Sequence, residues 1–171
     1  MLAVGTEEFR EAMSRLGAAV NIVTTGTVED PAGFTASAVC SVSDSPPTLL
    51  VCLNRSARIR PAFSEGGAMC VNVLSAAQKV LSASFAAPSD MKDRFATGHW
   101  SALETGAPAL SEALASFDCR IRQIVEVGSH SVMFGEIEAI RLGTGRGGLM
   151  WFNRAYHDLP HGPAARQEQT S

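Results

Sequence analysis

Long apolar runs are missing from this chain, whose longest unbroken apolar stretch within 171 residues is 49–53. A helix that crosses a bilayer needs about 20 such residues, so no membrane span is expected. Residues 1–10 lack a basic start leading into an apolar segment, and a soluble, unexported, cytoplasmic protein is the expectation. A basic excess is absent too. Fourteen Lys and Arg stand against seventeen Asp and Glu, a net charge of -3, which leaves no positive field to hold a nucleic-acid backbone. No two of Cys40, Cys52, Cys70 and Cys119 form a C-x-x-C pair of zinc or redox type. They lie in apolar or strand-like stretches and read as buried free thiols, since disulfides do not persist in a reducing compartment. A G-x-S-x-G elbow is also lacking, so a hydrolase triad has no support. Pro160 separates His157 from His161 and breaks the helix that such a metal-binding pair would need, so no metal site is expected.

What remains is 46% apolar and 18% charged, a balance that suits one compact domain burying about 70% of its unfolded surface. That domain is placed at residues 1–159, and the polar, proline-containing tail 160–171 is expected to lack fixed structure. Thr6 is placed to cap a helix with Phe9, Ala12, Met13 and Leu16 on one face and Gly17 at its end. Strands are expected over 18–25, where β-branched residues gather, and over 34–42, with a turn at 30–33 between them. The run 49–53 should be a central strand and 69–74 a further one. Ser75 and Gln78 then form an S-x-x-Q box that opens a helix through Val80, Leu81 and Phe85. Residues 86–98 read as loop. Apolar and polar residues alternate from Ala115 to Val127, the period of a half-buried strand. A turn at 128–131, a return strand over 132–142 and a last strand over 149–152 complete a small antiparallel barrel with peripheral helices.

Chemical signals are few. Residues 143–148 match G-x-G-x-x-G by letter, but a strand follows rather than a helix, so a hairpin turn is preferred to a dinucleotide fingerprint. Asn54-Arg55-Ser56 spells a glycosylation sequon that nothing directs to an exported compartment. The same amide, guanidinium and hydroxyl at a strand end can hold a phosphate, with a solvated loop as the plain alternative. Residues 33–41 form a strand of side chains too small to fill a core, which leaves its backbone approachable by a flat heterocycle. His130 stands at a turn, either solvated or a donor at a pocket mouth.

Taken in order, residues 9–25, 33–43, 45–48 and 70–75, then Phe117-Asp118-Cys119-Arg120, Gly128-Ser129-His130, Phe134-Gly135-Glu136-Ile137 and Asn153-Arg154-Ala155-Tyr156-His157, resemble the short-chain flavin reductases. Those are the reductase components of two-component flavin monooxygenases, and the branch serving pyrimidine utilisation is the most similar. The resemblance implies a mainly β fold, an FMN-binding split β-barrel that forms a homodimer. In such proteins NADH delivers a hydride to the flavin, and reduced flavin leaves for a separate monooxygenase. FAD in place of FMN and NADPH in place of NADH stay open. So do an electron-carrier role and reduction of a corrinoid-type acceptor by tightly held FMN. Thr35, Ala36, Ser37 and Ala38 match the segment along the isoalloxazine, and Ser41 continues it. Asn54, Arg55 and Ser56 match the loop near the ribityl phosphate. Phe85 and Arg94 match the part that closes over the flavin tail. His130 matches the histidine near the nicotinamide, although Ser129 stands where many relatives carry Asp, and Arg154 and Tyr156 match residues near the cofactor cleft.

Overall fold

A computed structural model describes residues 4–145 and 147–162. Seven strands form one antiparallel sheet in the order β3 (Pro31–Ala36), β2 (Asn21–Gly26), β6 (Ala68–Val73), β9 (Ala115–Val127), β10 (His130–Leu142), β5 (Pro47–Asn54) and β4 (Val39–Asp44). A small second sheet joins β1 (Ala18–Ala19), β11 (Gly148–Phe152) and β12 (Ala155–Leu159), and β7 (Trp100–Ala102) pairs with β8 (Pro108–Leu110). Three short helices lie outside: α1 (Thr6–Ser14), α2 (Lys79–Ala86) and α3 (Met91–Phe95).

The large sheet curls around one interior. Phe34 and Ala36 from β3 at one end pack in the same cluster as Leu49, Val51 and Leu53 from β5 near the other, with Val23, Met69, Val71, Ile121 and Met133 between them. The molecule is thus a mainly β split barrel, as expected. Gly135 lets β10 bend inward at a break in its register with β9, since a Cβ there would lie 2.7 Å from Met69 Cε. A second apolar cluster of Val20, Ile22, Leu74, Leu81, Phe85, Leu110 and Leu149 seats α2 and the small sheet against the barrel.

Several boundaries differ from the sequence reading, each for a physical reason. The stretch 18–25 is two strands, because Val20 donates to Leu149 O while its own carbonyl accepts from Leu74, so the chain changes sheets there. The turn before β3 is 27–30, and Pro31 already pairs with Gly26; a proline is tolerated since β3 is an edge strand. The expected strand 34–42 is divided at Ser37 and Ala38, with its two pieces at opposite ends of the strand order. The run 49–53 is next to an edge, and only alternate residues Leu49, Val51 and Leu53 are buried. Helix α3 interrupts the segment read as loop, and β12 was not anticipated. No hairpin joins β10 to β11, because β11 pairs with β1 and β12 in the small sheet; residue 146 of the glycine-rich stretch lies outside the described residues. Helix α1 runs from Thr6, with Gly5 at the cap position, to Ser14, short of the expected end at Gly17, and its apolar residues Phe9 and Met13, with Leu16 just beyond it, are exposed.

Two polar features fared differently. The capping box forms: Gln78 Oε1 accepts from the Ser75 N–H at 2.8 Å, opening a single 3-10 turn that leads into α2. The outward polar residues of β9 do not all face solvent, since Ser116 and Asp118 are buried under the β7–β8 strap. Asn72 Oδ1 accepts from Leu110 N–H (2.8 Å) and Ser116 Oγ (2.9 Å), and Asp118 accepts from the Thr105 N–H (2.7 Å) and hydroxyl. Every buried group named here has a partner, as burial requires. The thiols also divide: Cys70 and Cys119 are buried, Cys52 is half-buried and Cys40 is exposed, so the expectation of four buried thiols holds for two.

Candidate active site

The outer side of β3 carries no further strand, and its small side chains leave that edge open. Beside it lies a cleft of about 180 Å³ lined by Val20, Thr35, Ala36, Ser37, Ala86, Trp151 and Tyr156. Its walls are fixed from behind. Thr35 Oγ1 donates to Ser82 O at 2.6 Å, and the buried Ser82 hydroxyl bonds to Tyr156 OH at 2.9 Å. Trp151 meets the Tyr156 ring edge to face at 5.0 Å between centroids, a preferred aromatic geometry. Gly33 allows the strand to lie on α2 and α3, where a Cβ would come within 2.9 Å of Phe85 Cε1 and 3.2 Å of Phe95 Cζ. The floor is therefore flat backbone and small side chains, between an apolar side and a hydroxyl-bearing side.

At Ser37 and Ala38 the chain turns away, with Ser37 O accepting from Val39 N–H and Ala38 O from Cys52 N–H, both at 3.0 Å. Ser41 then lies on β4 and does not line this cleft. Following β3 the other way leads to a second cleft of about 410 Å³, lined by Ala32, Arg58, Ile59, Ser89, Met91 and Arg94 among others. Arg94 binds the carbonyls of Gly33 (3.2 Å), Phe85 (3.1 Å) and Ala87 (2.8 Å), so it clamps the end of α2 to β3. Arg58 is exposed on the facing wall and forms no ion pair among the described residues. Phe85 is 2% exposed and packs under the strand against Phe95 and Trp100.

Asn54, Arg55 and Ser56 gather with His130 at one end of β5 and β10, where Asn54 and His130 are register partners. Asn54 Oδ1 accepts from the N–H and hydroxyl of Ser56 (2.9 and 2.8 Å), a closed turn. Arg55 pairs with Glu126 at 3.0 Å and donates to Gly128 O at 3.3 Å, and His130 Nδ1 lies 2.9 Å from Ser129 Oγ. The Ser131 hydroxyl, with help from Arg60 and Arg55, holds the Glu126 carboxyl below the usual carboxylate range. This group and the β3 cleft are lined by different residues, so one chain does not bring His130 to Thr35 and Ser37.

A third hollow of about 430 Å³ opens under α1, between Phe9, Arg10, Met13 and Leu16 on one wall and Ser37, Ala38, Trp151 and Arg154 on the other. Sequence reasoning missed Arg10, Arg58, Ser82 and Trp151. Arg58 and Arg10 resemble any solvated arginine in sequence, and Ser82 sits within an apolar helical stretch. Trp151, one of two tryptophans, was the only visible signal, but the small sheet that carries it to β3 is a long-range pairing.

A β3 edge open to a flat ring suits a protein that handles a planar cofactor, and the chain belongs to the family described as flavin reductase like domain, matched over residues 13–160, which makes it an oxidoreductase. Among its relatives, the FMN reductase (NADH) RutF of Escherichia coli K12 is 56% identical over 159 residues, 93% of this chain and 97% of that protein. The NADH:FAD oxidoreductase SgcE6 of Streptomyces globisporus C-1027, solved in complex with NAD and FAD fragments, is 28% identical with a TM-score of 0.83, covering 96% of this chain and 99% of its own. BorF, the flavin reductase component of a bacterial two-component tryptophan halogenase, is 29% identical with a TM-score of 0.83 over 92% of this chain and 100% of its own. The β3 cleft fits a flavin on its own chemistry: small residues admit a planar ring, Val20, Ala86 and Trp151 face an apolar edge, and Thr35, Ser37 and Tyr156 offer hydroxyls to a polar one.

Proposed function

We propose that this chain is an NADH-dependent FMN reductase that releases reduced flavin to a separate monooxygenase in the cytoplasm. The observation that carries this reading is the β3 cleft, with its open strand edge and an aromatic wall in which Ser82 holds Tyr156 and Tyr156 packs against Trp151. When bound, the flavin accepts the hydride equivalent that the nicotinamide gives up. The chain's own work is to hold and orient. Thr35, Ala36 and Ser37 supply the flat floor, Ala38 follows in the neighbouring hollow under α1, and Trp151 and Val20 exclude water from the ring's apolar side. Arg58 and Ser89, which line the second cleft reached along β3, would hold the phosphate end of the flavin, with Arg94 fixing the strand that borders it. Asn54, Arg55 and Ser56 shape the loop that carries Arg58.

The openness of both clefts suits a flavin that enters and leaves as substrate and product, and the relatives that serve two-component systems support a separate oxygenase. A homodimer belongs to this reading. Val125 and Val127 on β9 and Val42 on β4 are large apolar residues left exposed on the large sheet, a face suited to a second copy. His130 stands beside that face, from which it would reach the nicotinamide of the partner copy's cleft. The test is FMN titration of flavin-free protein, followed by flavin fluorescence. Ser37→Trp, which fills the cleft floor, and Arg58→Glu, which places a carboxylate by the phosphate, are each expected to weaken FMN about ten-fold or more, roughly 1.4 kcal/mol. Unchanged affinity in both variants overturns the flavin placement.

A further inference from the structure

We infer that Glu126 is a positioning residue for flavin recognition: by taking both Arg55 and Arg60 it fixes the loop between them and leaves Arg58 as the guanidinium that meets the flavin phosphate. The inference rests on the flavin reading above and deepens it, since it concerns how the chain tells a phosphorylated flavin from an unphosphorylated one. Arginines stand at positions 55, 58 and 60, and in sequence each is an equal candidate for an anion. The structure gives them unequal tasks.

Glu126 and Ser131 are register partners across the β9–β10 hairpin, so their side chains share one face of the sheet. Glu126 Oε1 accepts from Arg60 Nη2 and Glu126 Oε2 from Arg55 Nε, each at 3.0 Å. The Ser131 hydroxyl lies 2.9 Å from both carboxylate oxygens and accepts from Arg60 Nε at 2.6 Å. Arg60 also donates to Phe63 O at 2.8 Å, and its side chain is only 20% exposed. Arg55 is held through its main chain as well, its N–H donating to Ser129 O at 2.9 Å. One carboxylate therefore anchors the loop on both sides of Arg58. A segment fixed in this way spends less entropy when its free side chain takes a ligand.

A second, independent observation is the charge inventory of the cleft that this loop walls. Arg58, Ile59 and Ala62 line one side of it, and Ser89, Asp90 and Arg94 the other. Arg94 is committed, through three backbone carbonyls and the Ser89 hydroxyl at 3.3 Å. Asp90 adds a carboxylate that repels an anion. Arg58 forms no hydrogen bond or ion pair among the described residues, so it is the uncommitted guanidinium of the cleft. With Asp90 opposed to it, phosphate binding depends on where Arg58 is held, and Glu126 sets that place. Exposed ion pairs contribute little to stability, so loss of Glu126 is expected to show in the ligand and not in the fold.

The experiment uses the flavin-free full chain and measures Kd for FMN and for riboflavin, which shares the ring and ribityl chain but lacks the phosphate. Glu126→Ala is expected to lower the preference for FMN over riboflavin about five-fold or more, with riboflavin affinity within about two-fold of the parent. Glu126→Gln keeps the shape and removes the charge, and the same direction of change is expected from it, so the answer does not depend on how the alanine variant folds. Arg58→Ala is expected to lower the preference as far. Adding Glu126→Ala to Arg58→Ala then changes it by less than about two-fold, the non-additivity of two residues that act as a unit. An unchanged preference in the Glu126 variants, a rise in it, an equal loss of both flavins, or full additivity with Arg58→Ala overturns the inference. Failure of the parent chain to bind either flavin sinks the flavin reading instead, a result distinct from each of these.

Discussion

Depth alone sorts the four thiols into different reactivities. Burial pushes the Cys119 thiol up to about 12 and raises Cys70 strongly, with Asp118 adding to both, whereas Cys52 is raised less deeply and Cys40 is exposed. A thiolate is the reacting form, so the two buried groups stay protonated and unreactive at neutral pH. With a chromogenic disulfide reagent near pH 8, Cys40 is expected to react first and Cys52 slowly, with Cys70 and Cys119 released only by denaturant. Rapid reaction of four thiols in the folded protein would contradict the burial described. At this scale the site was partly legible. Thr35, Ala36 and Ser37 stood out because a strand of such small residues cannot fill a core, and Tyr156 was reached by resemblance. Arg94 was named by resemblance, and its bonds to three carbonyls follow from where α2 ends, which no local pattern announces. Cys40 was misjudged since an apolar neighbourhood in sequence says nothing about an edge strand whose outer face is open.

Elements show where periodicity is informative and where it fails. Strands β6, β9 and β10 were readable because their alternation or apolar runs are long. The division of 34–42 into β3 and β4 was not, since Ser37 and Ala38 carry no turn signal and the break serves a sheet order set by distant strands. Helix α3 was hidden by a polar sequence, and β12 by the brevity of its hairpin. That hairpin supplies a prediction of its own. A left-handed backbone, which Arg154 adopts with φ of 60°, costs a non-glycine residue about 1–2 kcal/mol, and the exposed Arg154 to Glu11 pair contributes less than about 1 kcal/mol. Arg154→Gly is therefore expected to leave Tm unchanged or raise it by about 2–4 °C, measured by calorimetry. A drop of several degrees would mean that the ion pair outweighs the strain.

For the whole molecule, fold class was legible and topology was not. A chain of β-rich segments punctuated by turns announces an antiparallel barrel, but the partner of each strand depends on contacts across the full chain. The small sheet illustrates the gap: β1 lies near the start and β11 and β12 near the end, and only their pairing brings Trp151 and Tyr156 to β3. The same pairing brings the α1 hollow beside the β3 cleft, with Ser37 and Trp151 lining both. Chemistry of this kind needs contact, orientation and release rather than a strong acid or nucleophile, and the molecule is built accordingly, with open clefts and small residues at the meeting point. The most direct measurement is anaerobic absorbance at the flavin peak after mixing the protein with excess FMN and NADH, against a control without protein. Bleaching of many flavins per chain at a protein-dependent rate is the predicted result. Bleaching of no more than one flavin per chain, or none above the control, would contradict a reductase that releases its product.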